Sequence, residues 1–330
     1  MTQPPPTSNQ PSGGAPPSSA ATPADEEAEA GPRFADRLAG LVAARESQVV
    51  IGLDPDPQRL WPEAIADAAG GGSAAERAAL AVTAHCAAVI DAAGAACVAV
   101  KLQAACFERL GAAGWGALRA VAEHARAAGL LVIADAKRGD IDVSAAAYGQ
   151  ALVGTTPTPF GPVAGLGADA FTANPYMGRD TLAVLTGAAR NAAAGVFVLV
   201  RTSNPGAADL QDVATQDGEP VWARVARLVD ELGAGAGPLA DVGAVVGATA
   251  PAHIGRLREL MPRAPFLLPG VGAQGGRVED LAPAFAPGPA GGLVTASRSI
   301  VAAHERSGAP PAEAARAEAE RLRAAAWALA

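Results

Sequence analysis

The sequence lacks the features of a protein that binds nucleic acid, crosses a membrane or depends on disulfides. Its 330 residues carry 33 acidic and 25 basic side chains, a net charge of −8 at pH 7, whereas a nucleic-acid surface needs excess positive charge. Aromatic residues make up only 4 % of the chain, which argues against the stacking platforms that bind single-stranded nucleic acid. No uninterrupted apolar run reaches the roughly 18 residues of a membrane span, and the N-terminus has no secretory signal pattern. Three cysteines without CxxC or zinc spacing indicate reduced thiols and a cytoplasmic protein.

Lysine is also scarce. Only two of the 25 basic side chains, Lys101 and Lys137, are lysine, and the others are arginine. An ammonium group gives up a proton far more readily than a guanidinium group does. The two lysines are therefore candidates for chemistry that arginine cannot perform, although two lysines can also occur by chance.

Residues 1–31 are rich in Pro, Ser, Gly and Ala and show no apolar periodicity. Such a segment buries too little apolar surface to offset its chain entropy, so we expect a disordered tail. Residues 32–330 then form the single folded domain.

Within this domain, short apolar runs alternate with Ala-rich stretches of helical spacing. The predicted strands are 47–54, 96–103, 130–137, 168–175, 195–202, 242–249, 265–272 and 291–298. The predicted helices include 74–93, 113–128, 179–193, 220–233, 251–261 and 277–285. Eight apolar strands alternating with helices predict an α/β fold, a (β/α)₈ TIM barrel. A doubly wound dinucleotide-binding sheet is disfavoured because no early GxGxxG follows the first strand.

Polar residues gather where the predicted strands end. In chain order these are Asp54, Lys101, Asp135, Lys137, Asn174, Ser203, Thr249, Gln274 and Arg298. Asp135 and Lys137 are two positions apart, so both side chains point into the barrel mouth, where active sites of this fold lie. Ammonium groups interleaved with carboxylates keep each other ionised. The alternative is an ion-pair lattice that only closes the barrel, but such buried pairs stabilise poorly.

A glycine-rich segment, PGVGAQGG at 269–276, follows the seventh strand, and Ser297 and Arg298 follow the eighth. Loops after these two strands often bind phosphate, and exposed backbone N–H groups and an arginine suit that anion. Two further connections, 153–167 and 204–219, are long and rich in breakers, which is typical of functional or mobile loops. The histidines have no metal spacing, and His85, His124 and His304 are expected to be exposed or capping.

Seven segments in order carry a resemblance to a known family. They are IGLDPDPQRL, VAVKLQAACFE, IADAKRGDI, ADAFTANPYMG, VRTSNPGA, PGVGAQGG and ASRSI. Over residues 34–306 the chain resembles orotidine 5′-phosphate decarboxylases, in particular the longer bacterial branch with a TSNPGA loop. The resemblance implies conversion of orotidine 5′-phosphate to uridine 5′-phosphate and carbon dioxide, the last step of pyrimidine synthesis, with neither a metal nor an organic cofactor.

The resemblance also implies a role for each matching residue. Lys137 would donate the proton to C6, Asp135 would face the departing carboxylate, and Lys101 would hold the charge array. The other implied contacts are Asp140 and Ile141 in the partner's site of a homodimer, with Ser144 at a hydroxyl position that follows them, Asp54 at the ribose, Ser203 at the base, Gln274 between base and phosphate, Arg298 at the phosphate, and Pro269 and Val271 as pocket walls.

Three alternatives remain at this stage. A magnesium-dependent phosphosugar decarboxylase or synthase of the same superfamily shares DxKxxD but carries a glutamate in place of Lys101. A barrel aldolase would need a lysine with a depressed pKa, which neighbouring carboxylates oppose. A non-catalytic phosphate-binding barrel would give no function to Lys101, Asp135 and Asp140.

Overall fold

Eight parallel strands close into a barrel surrounded by helices, which confirms the predicted fold class. The computed structural model describes residues 31–68, 70–233, 237–272 and 274–330, and Pro32–Ala330 form one compact unit. Apart from Gly31, the predicted disordered tail lies outside the described residues.

The barrel follows the strand order β1-β10-β9-β8-β7-β6-β3-β2. Its strands are β1 (Val49–Leu53), β2 (Ala99–Gln103), β3 (Leu131–Arg138), β6 (Ala170–Ala173), β7 (Gly195–Arg201), β8 (Val242–Val246), β9 (Phe266–Pro269) and β10 (Gly292–Ala296). The short strands β4 (Thr155–Thr156) and β5 (Val163–Ala164) form a separate antiparallel hairpin. The register Val50↔Thr295 closes the barrel between the first and last strands.

Helices cover the outside of the barrel. They are α1 (Phe34–Arg45), α2 (Pro62–Asp67), α3 (Ala74–Ala93), α4 (Ala104–Glu108), α5 (Gly111–Ala127), α6 (Asp142–Leu152), α7 (Arg179–Asn191), α8 (Val221–Leu232), α9 (Ile254–Leu260), α10 (Arg298–Val301), α11 (His304–Ser307) and α12 (Pro311–Trp327). The start of α3 is fixed by a capping box in which Ser73 and Glu76 exchange hydrogen bonds.

Alternation along the strands divides the apolar residues between two clusters. Val49 and Ile51 of β1 belong to the larger cluster, which includes the buried faces of α3 and α5, and Val50 belongs to the smaller one. Phe34 of α1 lies in the smaller cluster and packs edge-on against Phe197, with ring centroids 5.9 Å apart. A Cβ on Gly195, at the start of β7, would collide with the Phe34 ring, so α1 packs directly against the strand there. Helix α1 thus covers the amino ends of the strands. The carboxyl ends are left for the functional site.

One helical stretch, Ala74–Ala96, is long and apolar enough to pass as a membrane span by length and composition. It contains polar residues and is therefore not an uninterrupted apolar run. However, 56 % of its apolar 18-residue segment is buried inside the fold, and α3 packs against α5 and α12. Its apolar composition is therefore explained by its place among the other helices.

Two local predictions need correction, and one open connection is now described. The connection 153–167, whose geometry the sequence left open, contains the β4–β5 hairpin. Residues 277–285 form a 3₁₀ helix over Val278–Phe285, with Pro283 inside it, because proline disrupts regular α-helical hydrogen bonding. His85 is buried, 3 % exposed, and its Nδ1 accepts a hydrogen bond from the Trp61 backbone N–H at 3.1 Å.

Candidate active site

The carboxyl ends of the barrel strands surround a cavity of about 490 Å³. Most of the residues singled out from the sequence line it. They are Asp54, Lys101, Asp135, Lys137, Ser203, Pro269, Val271, Gln274, Ser297 and Arg298. These side chains come from strand ends far apart in the chain, which the closure of the barrel brings together.

The two lysines and two carboxylates form a continuous row. Lys101 Nζ lies 2.6 Å from Asp135 Oδ2 and 3.4 Å from Asp54 Oδ1. Lys137 Nζ lies 2.6 Å from Asp135 Oδ1, so each oxygen of Asp135 binds a different ammonium group. Charges alternate in sign along the row.

Burial differs sharply along this row. The side chains of Lys101 and Asp135 are each 7 % exposed, whereas that of Lys137 is 42 % exposed. Lys137 is thus the lysine whose ammonium group is open to a bound molecule. Lys101 is enclosed and acts on the charges around it.

The electrostatics keep the buried pair ionised. Burial by itself raises the pKa of Asp135, but Lys101 and Lys137 outweigh this effect and hold its pKa at about 2. For Lys101, burial lowers the pKa, and the attraction of Asp135 and Asp54 more than compensates, so its pKa is raised. At neutral pH Asp135 is a carboxylate and Lys101 an ammonium.

The end of β3 is not the regular strand that the spacing of Asp135 and Lys137 suggested. The pairing with β6 is regular at Ala134↔Phe171, breaks, and resumes at Arg138↔Ala173. Within this bulge Lys137 has φ +49°, a left-handed conformation that long side chains rarely adopt. Both side chains still face the cavity, but the bulge determines how they do so.

Two hydroxyl groups bind other predicted site residues. Ser297 Oγ donates to Asp54 Oδ2 at 2.7 Å, so Ser297 holds the carboxylate whose other oxygen faces Lys101. Across the cavity, Ser203 Oγ donates to Gln274 Oε1 at 3.0 Å. Its position after the eighth strand predicted Ser297 beside a phosphate, whereas its hydroxyl in this structure donates to Asp54.

The backbone of the glycine-rich loop forms hydrogen bonds within the loop. Gly272 N donates to Gly276 O at 2.9 Å, Gly275 N to Gly272 O at 2.9 Å and Gly276 N to Gly270 O at 3.0 Å. Three of the backbone donors expected to meet an anion are therefore used inside the loop. The helix expected after it is the 3₁₀ segment Val278–Phe285.

Arg298 is the cation best placed for an anion at this end of the cavity. Its side chain is exposed and lines the cavity at the start of α10, next to Ser297. Among the described residues, no carboxylate forms a salt bridge with Arg298. Its guanidinium group is thus available to a ligand, with Gln274 on the neighbouring loop.

Three predicted site residues do not line the cavity of their own chain. Asp140, Ile141 and Ser144 lie at the start of α6, beyond the β3 bulge. Asp140 Oδ1 accepts a hydrogen bond from the Ile141 backbone N–H at 2.8 Å, and Ile141 is 50 % exposed.

Sequence reasoning overlooked several polar neighbours of the site. Thr202, Asn204 and Gln211 line the cavity, and Gln211 anchors Thr202 through hydrogen bonds of 2.8 and 2.9 Å. At the end of β6 the sequence indicated Asn174 as a candidate site residue, but Thr172, two residues earlier, contacts Asp135 and Lys137. Thr172 could have been predicted, because residues two apart on a strand lie on the same face.

Comparison with known proteins assigns the chain to a family. Residues 47–317 match the model of the orotidine 5′-phosphate decarboxylase / HUMPS family. A curated orotidine 5′-phosphate decarboxylase from Rhodopirellula baltica is 42 % identical over 279 residues, covering 83 % of this chain and 89 % of that protein. Another from Deinococcus radiodurans is 45 % identical over 212 residues, covering 64 % of this chain and 74 % of that protein.

Among solved structures, the OMP decarboxylase of Leishmania donovani has a TM-score of 0.65 at 31 % identity, covering 89 % of this chain and 99 % of that one. The match extends over the barrel and the strand ends that build the cavity. The chain belongs to the orotidine 5′-phosphate decarboxylase / HUMPS family.

Proposed function

We propose that this member of the family converts orotidine 5′-phosphate to uridine 5′-phosphate and carbon dioxide, with Lys137 as the proton donor and no metal or organic cofactor. The observation that carries the proposal is the row Asp54–Lys101–Asp135–Lys137 at the cavity floor, with the last ammonium group open to a ligand. This reaction is the last step of pyrimidine biosynthesis.

The row suits the chemistry of this decarboxylation. When the bond between C6 and the carboxylate breaks, the electron pair stays on C6 and carbon dioxide leaves. The pyrimidine ring offers that carbanion no ordinary electron sink, so a fixed positive charge beside C6 stabilises it. The Lys137 ammonium supplies the charge and then its proton to C6, and the resulting amine regains a proton from water.

Asp135 and Lys101 prepare Lys137 for this role. Asp135 binds Lys137 through one oxygen and Lys101 through the other, so the position of the proton donor is fixed before substrate enters. In the proposed complex Asp135 also faces the departing carboxylate, and this like-charge contact is relieved as carbon dioxide forms.

Binding of the rest of the nucleotide is assigned to residues along the cavity wall. Arg298 holds the phosphate and Gln274 bridges phosphate and base. Ser203 contacts the base, Asp54 a ribose hydroxyl, and Ser297 orients Asp54 through its 2.7 Å hydrogen bond. Pro269 and Val271 form the walls between them. Phosphate contacts that strengthen toward the transition state hold the ring against the charged row.

The proposal includes a homodimer with shared active sites. Asp140, Ile141 and Ser144 are placed in the site of the partner subunit, which is consistent with their position outside their own cavity. An apolar side chain between them in the chain is uncovered, since Val143 is 83 % exposed. We also place the protein in the cytoplasm, since its three cysteines are free thiols.

The alternatives fit the site less well. For a magnesium-dependent relative, the Lys101 ammonium stands between the two carboxylates that would have to bind the ion. For a Schiff-base aldolase, Lys101 has a raised pKa, the opposite of what a nucleophilic amine needs. A non-catalytic phosphate-binding barrel leaves two buried charges unexplained.

The test is an ultraviolet turnover assay with orotidine 5′-phosphate. We expect loss of the orotate chromophore without added metal and at an unchanged rate in EDTA. Two variants separate charge from proton donation. Lys137→Ala and Lys137→Arg are both expected to lose decarboxylation by several orders of magnitude, because arginine keeps the charge but not a transferable proton.

Both variants are expected to bind uridine 5′-phosphate, since the phosphate and base contacts remain. Turnover by Lys137→Arg near the wild-type rate would show that Lys137 acts only as a charge. A wild-type protein without turnover, or one that EDTA inactivates, would remove the proposed function itself.

A further inference from the structure

The bulge in β3 leaves one residue of β6 opposite three residues of β3, two of which line the cavity. The two strands are in register at Ala134↔Phe171 and again at Arg138↔Ala173. Asp135, Ala136 and Lys137 therefore face Thr172 alone.

The backbone of Lys137 needs a partner that the sheet does not supply. Lys137 lies in the bulge, where the register with β6 is interrupted, and its φ is +49°. Thr172 Oγ1 accepts this N–H at 2.9 Å. The hydroxyl thus stabilises the unusual conformation that aims Lys137 into the cavity.

The same hydroxyl binds the catalytic carboxylate. A hydroxyl has one hydrogen, and because Thr172 accepts from Lys137 N, that hydrogen is free to go to Asp135 Oδ1, 2.8 Å away. Thr172 is 1 % exposed, and its hydrogen bond to Asp135 is buried. One side chain therefore fixes the backbone of the proton donor and the carboxylate that binds its ammonium group.

We propose that Thr172 is a positioning residue for the decarboxylation, and this inference rests on the proposed function. Asp135 Oδ1 binds both Lys137 Nζ, at 2.6 Å, and Thr172. When Lys137 transfers its proton to C6, the carboxylate loses one of its two cationic partners. The Thr172 hydrogen bond persists through that step and holds Oδ1 while the amine is neutral.

The test compares Thr172→Val, which removes the hydroxyl at nearly the same volume, with Thr172→Ser, which restores it. We expect Thr172→Val to lower kcat about 10- to 100-fold, because small misplacements and lost charge-assisted hydrogen bonds have effects of this size. The KM and the affinity for uridine 5′-phosphate are expected to stay within about threefold, since Thr172 contacts Asp135 and Lys137 and does not line the cavity. Thr172→Ser is expected to regain most of the lost kcat.

Thr186→Val is the matched control for loss of a buried hydroxyl. Thr186 is also 1 % exposed, and its hydroxyl donates to Ala183 O within α7 at 3.2 Å, away from the cavity. It is expected to keep the wild-type kcat. If Thr172→Val does not fold, Thr172→Ala takes its place, with the same split between kcat and affinity expected.

Three results would overturn the inference: a valine or alanine variant with wild-type kcat, equal losses in kcat and nucleotide affinity, or a serine variant as impaired as the valine. Each presupposes that the wild-type protein decarboxylates its substrate. A wild type without turnover would instead remove the proposed function, so the two failures are distinguishable.

Discussion

At the scale of the residue, the two lysines of this chain differ in environment although both bind Asp135. Lys101 is enclosed between two carboxylates, and Lys137 is open to the cavity. This difference in exposure, and not the residue type, is the basis for proposing Lys137 and not Lys101 as the proton donor. Scarcity of lysine in the sequence indicated both residues without distinguishing them.

His85 illustrates a single residue that affects stability away from the site. Its ring packs edge-on against Trp61, with centroids 5.5 Å apart, and Nδ1 accepts the Trp61 N–H. Burial, with a smaller contribution from His304, lowers the pKa of His85 to about 4 from an ordinary value of 6.5. The folded protein therefore keeps this imidazole neutral under conditions in which the unfolded chain protonates it.

The sign of the resulting pH effect follows from proton uptake. Between pH 6.5 and 4 the unfolded chain binds a proton that the folded chain does not, so His85 lowers the unfolding free energy as pH falls, by at most roughly 1.4 kcal/mol per pH unit. His85→Gln keeps an acceptor for Trp61 but does not titrate. We expect urea unfolding of this variant to show a smaller stability loss over the same pH range than wild type. Equal losses would contradict the assignment.

At the scale of the element, the approach of β1 to the residue after β10 is set by a glycine. A Cβ on Gly52 would lie 2.8 Å from Ser297 Cβ, closer than real contacts permit. This close approach places the Ser297 hydroxyl on Asp54, directly after β1. Gly52 therefore leaves the space that Ser297 needs to bind Asp54.

We expect Gly52→Ala to lower the unfolding free energy by about 1–3 kcal/mol, because the added methyl group must push Ser297 aside. Gly40→Ala is the matched control. Gly40 is exposed within α1, and a methyl group added there would meet no neighbouring side chain within 4 Å, so alanine is expected to stabilise by about 0.5–1 kcal/mol. Urea denaturation of both variants measures the difference. A Gly52→Ala protein as stable as Gly40→Ala would contradict the steric argument.

Elements also account for one local prediction that was wrong and one geometry that was left open. The sequence predicted a helix over 277–285, and Pro283 lies within a 3₁₀ helix there. For 153–167 the sequence indicated only a long connection rich in breakers, and part of it forms the β4–β5 hairpin. Whether such a segment forms a 3₁₀ helix or a hairpin depends on contacts with residues that are distant in the sequence.

At the scale of the whole molecule, the proposed homodimer predicts that two inactive variants complement each other. Lys137→Ala removes the proton donor from a subunit's own site, and Asp140→Ala removes the residue that it contributes to the partner's site. In a mixed dimer one site then contains both Lys137 and a partner's intact Asp140. We expect a mixture of the two proteins to regain part of the wild-type turnover in the ultraviolet assay.

The control is to confirm subunit exchange by isolating dimers that carry two different affinity tags. Confirmed mixed dimers without recovered turnover would argue against shared sites. Recovery in a mixture of Lys137→Ala with Asp135→Ala would also count against the interpretation, because both residues belong to the same subunit's site and no intact site forms.

The sequence by itself determined the barrel and the identity of the charged row. Alternating apolar strands and helices dictate a closed parallel sheet, and in such a sheet all strand ends meet at one edge, so Lys101, Asp135 and Lys137 had to converge. The resemblance of the motifs then supplied the reaction. These features are local in the chain or follow from the fold class.

The tertiary structure alone decided how the side chains in the site are held. The bulge opposite Thr172 and the hydrogen bond from Ser297 to Asp54 depend on register between segments distant in sequence. A one-residue change in register redirects every side chain on a strand, so spacing within a single strand cannot reveal such contacts. The sequence determines which charged and polar groups are present. The packing of one strand against the next determines how these groups are oriented.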